Sequence, residues 1–262
     1  MIARLRSLLL TAGLAAAGMG LAPAAAERSE PLPRFEDAMC PGVAGLTTEA
    51  AELMVGRIRQ NAQALGRRMA PADSCEPNVI VAFVDDGRAV LRQMNRAQGY
   101  LFAEMNRTER AALFAEGGPV HVLSRVFTRT RDGLPVYRRD SLTDLPQTTM
   151  AMAHSKIYTA TRRDIVHALV LVDRAAVRGL SVNQLADYAT VRALVHRPPE
   201  AATIGAPSIL ALFAAGQGAR PAGLTAFDNA LLTSLYQGLP NMNGTATQAT
   251  IAHATGRKVE VE

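Results

Sequence analysis

The sequence predicts an α+β fold, a single domain in which a mixed sheet is flanked by helices. Two short apolar runs carry that expectation, 78–84 (NVIVAFV) and 164–173 (DIVHALVLVD). Each has the length of a strand and is rich in Val, Ile and Leu, and polar or turn-forming residues bound it. The third observation is the order of the patterns, which runs helix, strand, helices, strands, helices. No internal repeat and no low-complexity linker divides the chain.

The elements follow from local chemistry. Residues 27–46 open with a polar, Pro-containing stretch and read as a tether. Thr47 and Thr48 precede an amphipathic helix whose apolar residues Ala51, Met54, Val55, Ile58, Ala62 and Leu65 keep a 3.6-residue period. Arg57, Arg59, Arg67 and Arg68 read as its solvated face. After the strand at 78–84, Asp85-Asp86-Gly87 makes a turn, and helices are expected over 88–98 and 107–115. Gly117-Gly118-Pro119 breaks the chain before a strand at 120–130. Residues 131–149 read as loop, with Asp132-Gly133 as a turn, and 155–158 as a short strand. The strand at 164–173 leads to a helix over 181–195, for which Ser181 is the N-cap. A closing helix ends at Tyr236, and 239–262 read as a flexible tail.

The N-terminus carries Arg4 and Arg6 without an acidic residue, then an apolar stretch from Leu8 to about Leu21, then Ala24-Ala25-Ala26. This is the pattern of a cleavable signal peptide over 1–26. Its apolar core is shorter than the ~20 residues that span a bilayer. The expected address is therefore periplasmic or secreted. Leaving out residues 1–26 removes two arginines and lowers the formal charge from +5 to +3. That is a mild excess and gives no basic stripe for nucleic acid. No later apolar run approaches a membrane span.

The only cysteines are Cys40 and Cys75. In an exported chain an even count most simply means a disulfide; two free thiols or a shared metal are the alternatives. The five histidines, His121, His154, His167, His196 and His253, form no H-x-x-x-H or H-x-H pair, and no metal site is expected from them. No G-x-S-x-G elbow, Walker loop or G-x-G-x-x-G occurs, and Ser124, Ser155 and Ser208 have no contextual partner. Asp85-Asp86 reads as a turn and helix cap in preference to a carboxylate pair, and Asp173 as a cap or an ion-pair partner of Arg174 or Arg178. Arg125, Arg129, Arg131, Arg138 and Arg139 form either a solvated face or a surface for an anionic envelope component.

The C-terminal third carries one more pattern. After the strand ending at Asp173-Arg174 come the Ser181 helix, then Pro207-Ser208-Ile209-Leu210-Ala211-Leu212-Phe213, then Leu224-Thr225-Ala226-Phe227-Asp228 leading to Leu235-Tyr236. This succession resembles the C-terminal half of a zincin-type metalloprotease in the metzincin layout. In that layout a helix bears H-E-x-x-H-x-x-G-x-x-H, a serine-containing turn holds a methionine, and a helix closes the domain. It also resembles an uncharacterised family of exported bacterial proteins with such a worn end. Leu210 stands where the methionine of the turn would be. Laid on residues 183–193, the motif places Asn183, Asp187 and Ala193 at the three histidine positions and Gln184 at the general base. Thr190 replaces the glycine. Such a set supplies too few ligands for zinc and no carboxylate to activate water. His196 lies three residues beyond the third position, as a displaced ligand would.

The resemblance therefore implies a zincin-like C-terminal half with no metal, no cofactor and no catalytic residues. A vestigial cleft is expected around Asn183, Gln184, Asp187 and Tyr188, in an exported domain over 47–238 that binds an unknown protein or envelope component. Two other readings stay open: a hydrolase that uses Asp187 with His167 or His196, and a structural envelope protein.

Overall fold

The computed structural model describes residues 30–136, 157–199, 204–214 and 220–256. The signal-peptide pattern at 1–26, residues 27–29 of the tether, most of the loop with Arg138 and Arg139, His154, Ser155 and the last six residues lie outside them.

Four strands form one mixed sheet: β1 (Pro41–Ala44), β2 (Val79–Val84), β3 (Val120–Thr130) and β4 (Thr161–Asp173), in the order β1-β2-β4-β3. β1, β2 and β4 run parallel, and β3 lies antiparallel on β4 with a register shift between Arg125 and Val126. β3 is thus an edge strand. Among the described residues six α-helices surround the sheet: α1 (Thr48–Ala64), α2 (Gly87–Ala97), α3 (Arg107–Ala115), α4 (Val182–Leu194), α5 (Ala226–Tyr236) and α6 (Gly244–Thr255). A mixed sheet with helices on both faces is the α+β arrangement that the sequence predicts.

The period of two along the strands sorts the core into two layers. Val79, Val81 and Phe83 of β2, with Ala168, Val170 and Val172 of β4, pack against α1, α4 and α5. Leu171 and Leu123 face the other way, onto Leu91 of α2, Phe102, and Leu113 of α3. Each helix starts where a side chain accepts a bond from a backbone N–H of the first turn. Thr47, Asp86, Asn106, Ser181, Thr225 and Asn243 do this for α1 to α6 in turn. Asp86 thus caps a helix, as expected, whereas Asp173 accepts from the Gly87 N–H at 2.7 Å and supports the same helix start. Arg174 pairs instead with exposed Asp85 at 3.1 Å.

Four expectations are corrected. The tether is packed: Phe35 and Met39 are fully buried, and residues 41–44 form β1. Arg34 holds this segment down by donating to the carbonyls of Leu235 and Gly238, each at 3.1 Å. Tyr236 is a second fastening, since its hydroxyl accepts from the Phe35 N–H and donates to the Leu194 carbonyl. A segment with so few apolar residues can be ordered because its backbone bonds to β4 and to the loop after α1, and its buried arginine to carbonyls at the end of α5.

Of Arg57, Arg59, Arg67 and Arg68 only Arg68 is exposed, as expected of a solvated face; Arg57 pairs with Asp187, Arg59 donates to the Ala70 carbonyl, and Arg67 to the Phe35 carbonyl while lying over the Tyr236 ring. The tail at 239–262 holds α6, a helix of Ala and Thr whose weak amphipathic pattern hides it; Thr247 is buried and Ile251 is partly so. Of the short strand expected at 155–158, only Ile157 and Tyr158 are described; they form no strand, and Tyr158 makes an isolated bridge to Met242.

Cys40 and Cys75 form a disulfide with a sequence separation of 35. It joins the start of β1 to the loop before β2. Among the described residues no helix is long and apolar enough to cross a membrane.

Candidate binding cleft

The helix that carries the resemblance, α4, is buried around most of its circumference, from Leu185 through Leu194 with Arg192 partly exposed. Its apolar pattern therefore does not fix which residues face which neighbour. Polar contacts do. Asp187 has no exposed surface and faces α1, where Arg57 donates Nε to Oδ1 at 2.7 Å and Nη2 to Oδ2 at 2.9 Å. Asn61 Nδ2 adds a bond to Oδ1 at 2.7 Å, and the Leu224 N–H donates to Oδ2 at 3.1 Å. Gly223 admits the carboxylate: a Cβ there would lie 2.7 Å from Oδ2. Asp187 thus ties α1, α4 and the start of α5 together, and its lone pairs are engaged.

The other residues expected around a vestigial cleft scatter. Asn183 is exposed. Gln184 completes the capping box by accepting from the Ser181 N–H, and donates Nε2 to the Pro221 carbonyl at 2.7 Å. Ala193 is buried in the core. Only Tyr188 faces a cleft, so the expected grouping of Asn183, Gln184 and Asp187 with Tyr188 is corrected. A catalytic zinc does not fit these positions, because Asp187 and Gln184 are committed elsewhere and Asn183 and Ala193 are poor or no ligands. Among the described residues, no three His, Cys, Asp or Glu side chains are placed to share an ion.

Ser208 and Asp228 have a similar structural task. Asp228, fully buried, accepts from Ser208 Oγ at 2.5 Å and from the backbone N–H groups of Ile209 and Thr225, each at 2.8 Å. This fixes the turn before α5 and presents Leu210 toward α4.

The cleft that Tyr188 faces has a volume of about 730 Å³ and lies between edge strand β3, α3 and α4. Arg192, one turn beyond Tyr188, is its central polar group. Its Nη1 donates to the Tyr188 hydroxyl at 3.0 Å and its Nη2 to Glu116. Burial opposes the Arg192 charge, but Tyr188 and Glu116 outweigh it and hold the guanidinium pKa above its ordinary value. Burial pushes the Tyr188 phenol up. The Tyr188 ring packs edge-on against Phe213 with 4.9 Å between centroids, which fixes the hydroxyl in place.

His196 lies another turn along, past the end of α4, and lines the same cleft. Burial, reinforced by Arg163 and Arg197, pushes its pKa down to about 4, so the imidazole is neutral at neutral pH. Glu109 stands between those two arginines, 3.5 Å from Arg163 and 3.2 Å from Arg197. From β3, Ser124 completes the polar lining and is only 5% exposed. The cleft-facing residues of the helix are thus Tyr188 and Arg192, at i and i+4, followed by His196. The sequence pattern singles out His196 and lists Ser124 without a partner, but gives no sign of Arg192 and Glu116; only the fold brings the four together.

The remaining histidines are elsewhere. His121 is buried beside Gly87 on the opposite face of β3, half-buried His167 faces the charges of Arg125 and Glu76, and His253 is exposed on α6. Among the arginines along β3, Arg129 pairs with Asp37 and Asp164, and Arg125 lies over the Phe127 ring. No family model, curated protein or solved structure matches this chain.

Proposed function

We propose that the chain is an exported, non-catalytic domain that keeps a metalloprotease-like scaffold and works by binding a protein or envelope component. The cleft between β3, α3 and α4 is the binding surface in this reading. The observation that carries it is the environment of Asp187. The carboxylate that the metzincin overlay would offer to zinc accepts four hydrogen bonds from Arg57, Asn61 and Leu224 and faces away from the cleft. With Gln184 in the general-base position also tied up as a cap, neither a metal-bound nor a carboxylate-activated water has a residue to hold it there. Function then rests on the side chains that do line a cavity, since a scaffold alone does not carry an activity.

Two features support the compartment. The N-terminal residues follow a secretory pattern, and the Cys40–Cys75 bridge suits an oxidising space. The hydrolase reading needs Asp187 beside His167 or His196. The charges that act on His196 are Arg163, Arg197 and Glu109, and those on His167 are Arg125 and Glu76, so nothing favours that pairing.

The test is incubation of the purified protein with a mixed peptide library, with and without added zinc, followed by mass spectrometry. Intact peptides in both samples are expected. Cleavage products that disappear with an Arg192→Leu variant would overturn the non-catalytic reading.

A further inference from the structure

The mild net charge of the chain conceals one concentrated row of arginines. Arg88, Arg92 and Arg96 stand at i, i+4 and i+8 of α2, so they share one face over about 12 Å. Val90, Leu91 and Met94, on the other face, pack into the layer over the sheet. Residues 87–103 hold these three arginines and no acidic residue. Arg92 and Arg96 are exposed and make no hydrogen bond or ion pair among the described residues. Arg88 donates to the Glu116 carbonyl at 2.7 Å, and Arg110 of α3 donates to Asn95 Oδ1 while lying over the Phe102 ring. Those partners are neutral and offset neither charge.

The carboxylates nearby are engaged with other elements. Asp85 pairs with Arg174, Glu109 with Arg163 and Arg197, and Glu116 with Arg192. Asp86 caps the far end of α2, and Glu104 sits in the turn before α3. The row therefore keeps its positive charge. Tyr100 follows it by four residues, in the short helical turn 99–102, and is 66% exposed, although its neighbours Leu101 and Phe102 pack inward.

Unpaired guanidiniums beside an exposed amphipathic ring match the headgroup region of an anionic bilayer. Guanidiniums bond phosphate oxygens in pairs, and tyrosine rings settle at the membrane–water boundary. A soluble acidic chain would satisfy the arginines and give the ring no apolar layer. We infer that α2 docks on an anionic lipid surface, with Arg88, Arg92 and Arg96 on the phosphates and Tyr100 entering the headgroup layer. No residue of α2 lines the cleft, and the inference does not rest on the cleft's being a binding site.

The test is sedimentation of the purified protein with vesicles of mixed phosphatidylglycerol and phosphatidylcholine, and with vesicles of phosphatidylcholine alone. Residues 1–26 are removed first, because their apolar stretch would itself enter lipid; every described residue is kept. Sedimentation with the anionic vesicles alone is expected. Each arginine at an anionic surface is worth about 5-fold in partitioning, so Arg92→Gln with Arg96→Gln should weaken binding about 25-fold. The melting temperature should not change, since neither side chain makes a bond. Arg68→Gln with Arg220→Gln removes the same charge after α1 and before α5, and should leave binding within about 2-fold. The chain has no tryptophan, so Tyr100→Trp supplies a single reporter whose emission should shift to the blue and resist an aqueous quencher when anionic vesicles are added. Equal sedimentation with both vesicle types, or with neither, overturns the inference. So does a loss in Arg92→Gln with Arg96→Gln no larger than in the control pair, or an emission that the vesicles leave unchanged. Poly-glutamate that binds more tightly than the vesicles, through Arg92 and Arg96, would also overturn it and assign the row to an acidic polypeptide.

Discussion

Replacing Asp187 with Ala probes the junction of α1, α4 and α5, and its cost follows from four bonds. The substitution strips Arg57 of two charge-assisted hydrogen bonds, at 2.7 and 2.9 Å, and leaves the Leu224 N–H unpaired. Breaking a buried ion pair by removing one partner costs about 3–5 kcal/mol. Two features pull the figure toward the lower end. The Arg57 side chain is 33% exposed and regains water, and Asn61 Nδ2 keeps Thr190 Oγ1 at 3.2 Å. The unpaired Leu224 N–H adds about 1 kcal/mol, so the net expectation is a loss of about 4 kcal/mol. Guanidinium unfolding followed by far-UV circular dichroism measures it. A double-mutant cycle with Arg57→Ala should return a coupling of about 1–3 kcal/mol. A loss below about 1 kcal/mol, with no coupling, would refute the claim that Asp187 is held in a structural lock.

Three further outcomes are expected. Tyr236→Phe removes a buried hydroxyl that bonds Phe35 and Leu194 and should cost about 1–3 kcal/mol in the same assay, with amide exchange rising in residues 34–39; an unchanged exchange pattern would contradict the strap. Reducing the Cys40–Cys75 bridge, with its separation of 35 residues, should lower stability by about 3–4 kcal/mol, and equal midpoints with and without reductant would count against it. His196 has a folded pKa of about 4, below its ordinary 6.5, so the unfolded chain takes the proton first as pH falls. Its contribution is complete above pH 6.5 and is lost toward pH 4, on the order of 3 kcal/mol, and His196→Gln should flatten that part of the profile; identical acid profiles for the two proteins would be the contrary result.

Much of the fold is legible in the sequence where pattern and burial agree. The runs around Val81 and Val170 are covered on both faces, fully on one and partly on the other, so they read as continuous apolar strands, and β3 and α3 fall on the predicted residues 120–130 and 107–115. The cap at Ser181 is likewise readable, because a hydroxyl before an apolar-periodic stretch satisfies a first-turn N–H. β1 is missed because four residues carry too little periodicity, and α6 because Ala and Thr give it no contrasting face.

The site is less legible for a different reason. α4 is buried nearly all round, polar residues included, so sequence spacing cannot decide whether Asp187 or Tyr188 faces the cavity. That choice is made by Arg57 and Asn61, more than 120 residues away in the chain. Ser124 and Glu116 have no motif at all; Glu116 meets Arg192, and Ser124 lines the same cleft, only because β3 pairs antiparallel with β4 at the sheet edge.

The most direct test of the central claim is the zinc content of the folded protein after equilibrium dialysis against zinc, measured by elemental mass spectrometry. No stoichiometric zinc is expected, because Asp187 and Gln184 are engaged, Asn183 is exposed and Ala193 offers no donor. One zinc per chain, retained by the folded protein and released on unfolding, would contradict it.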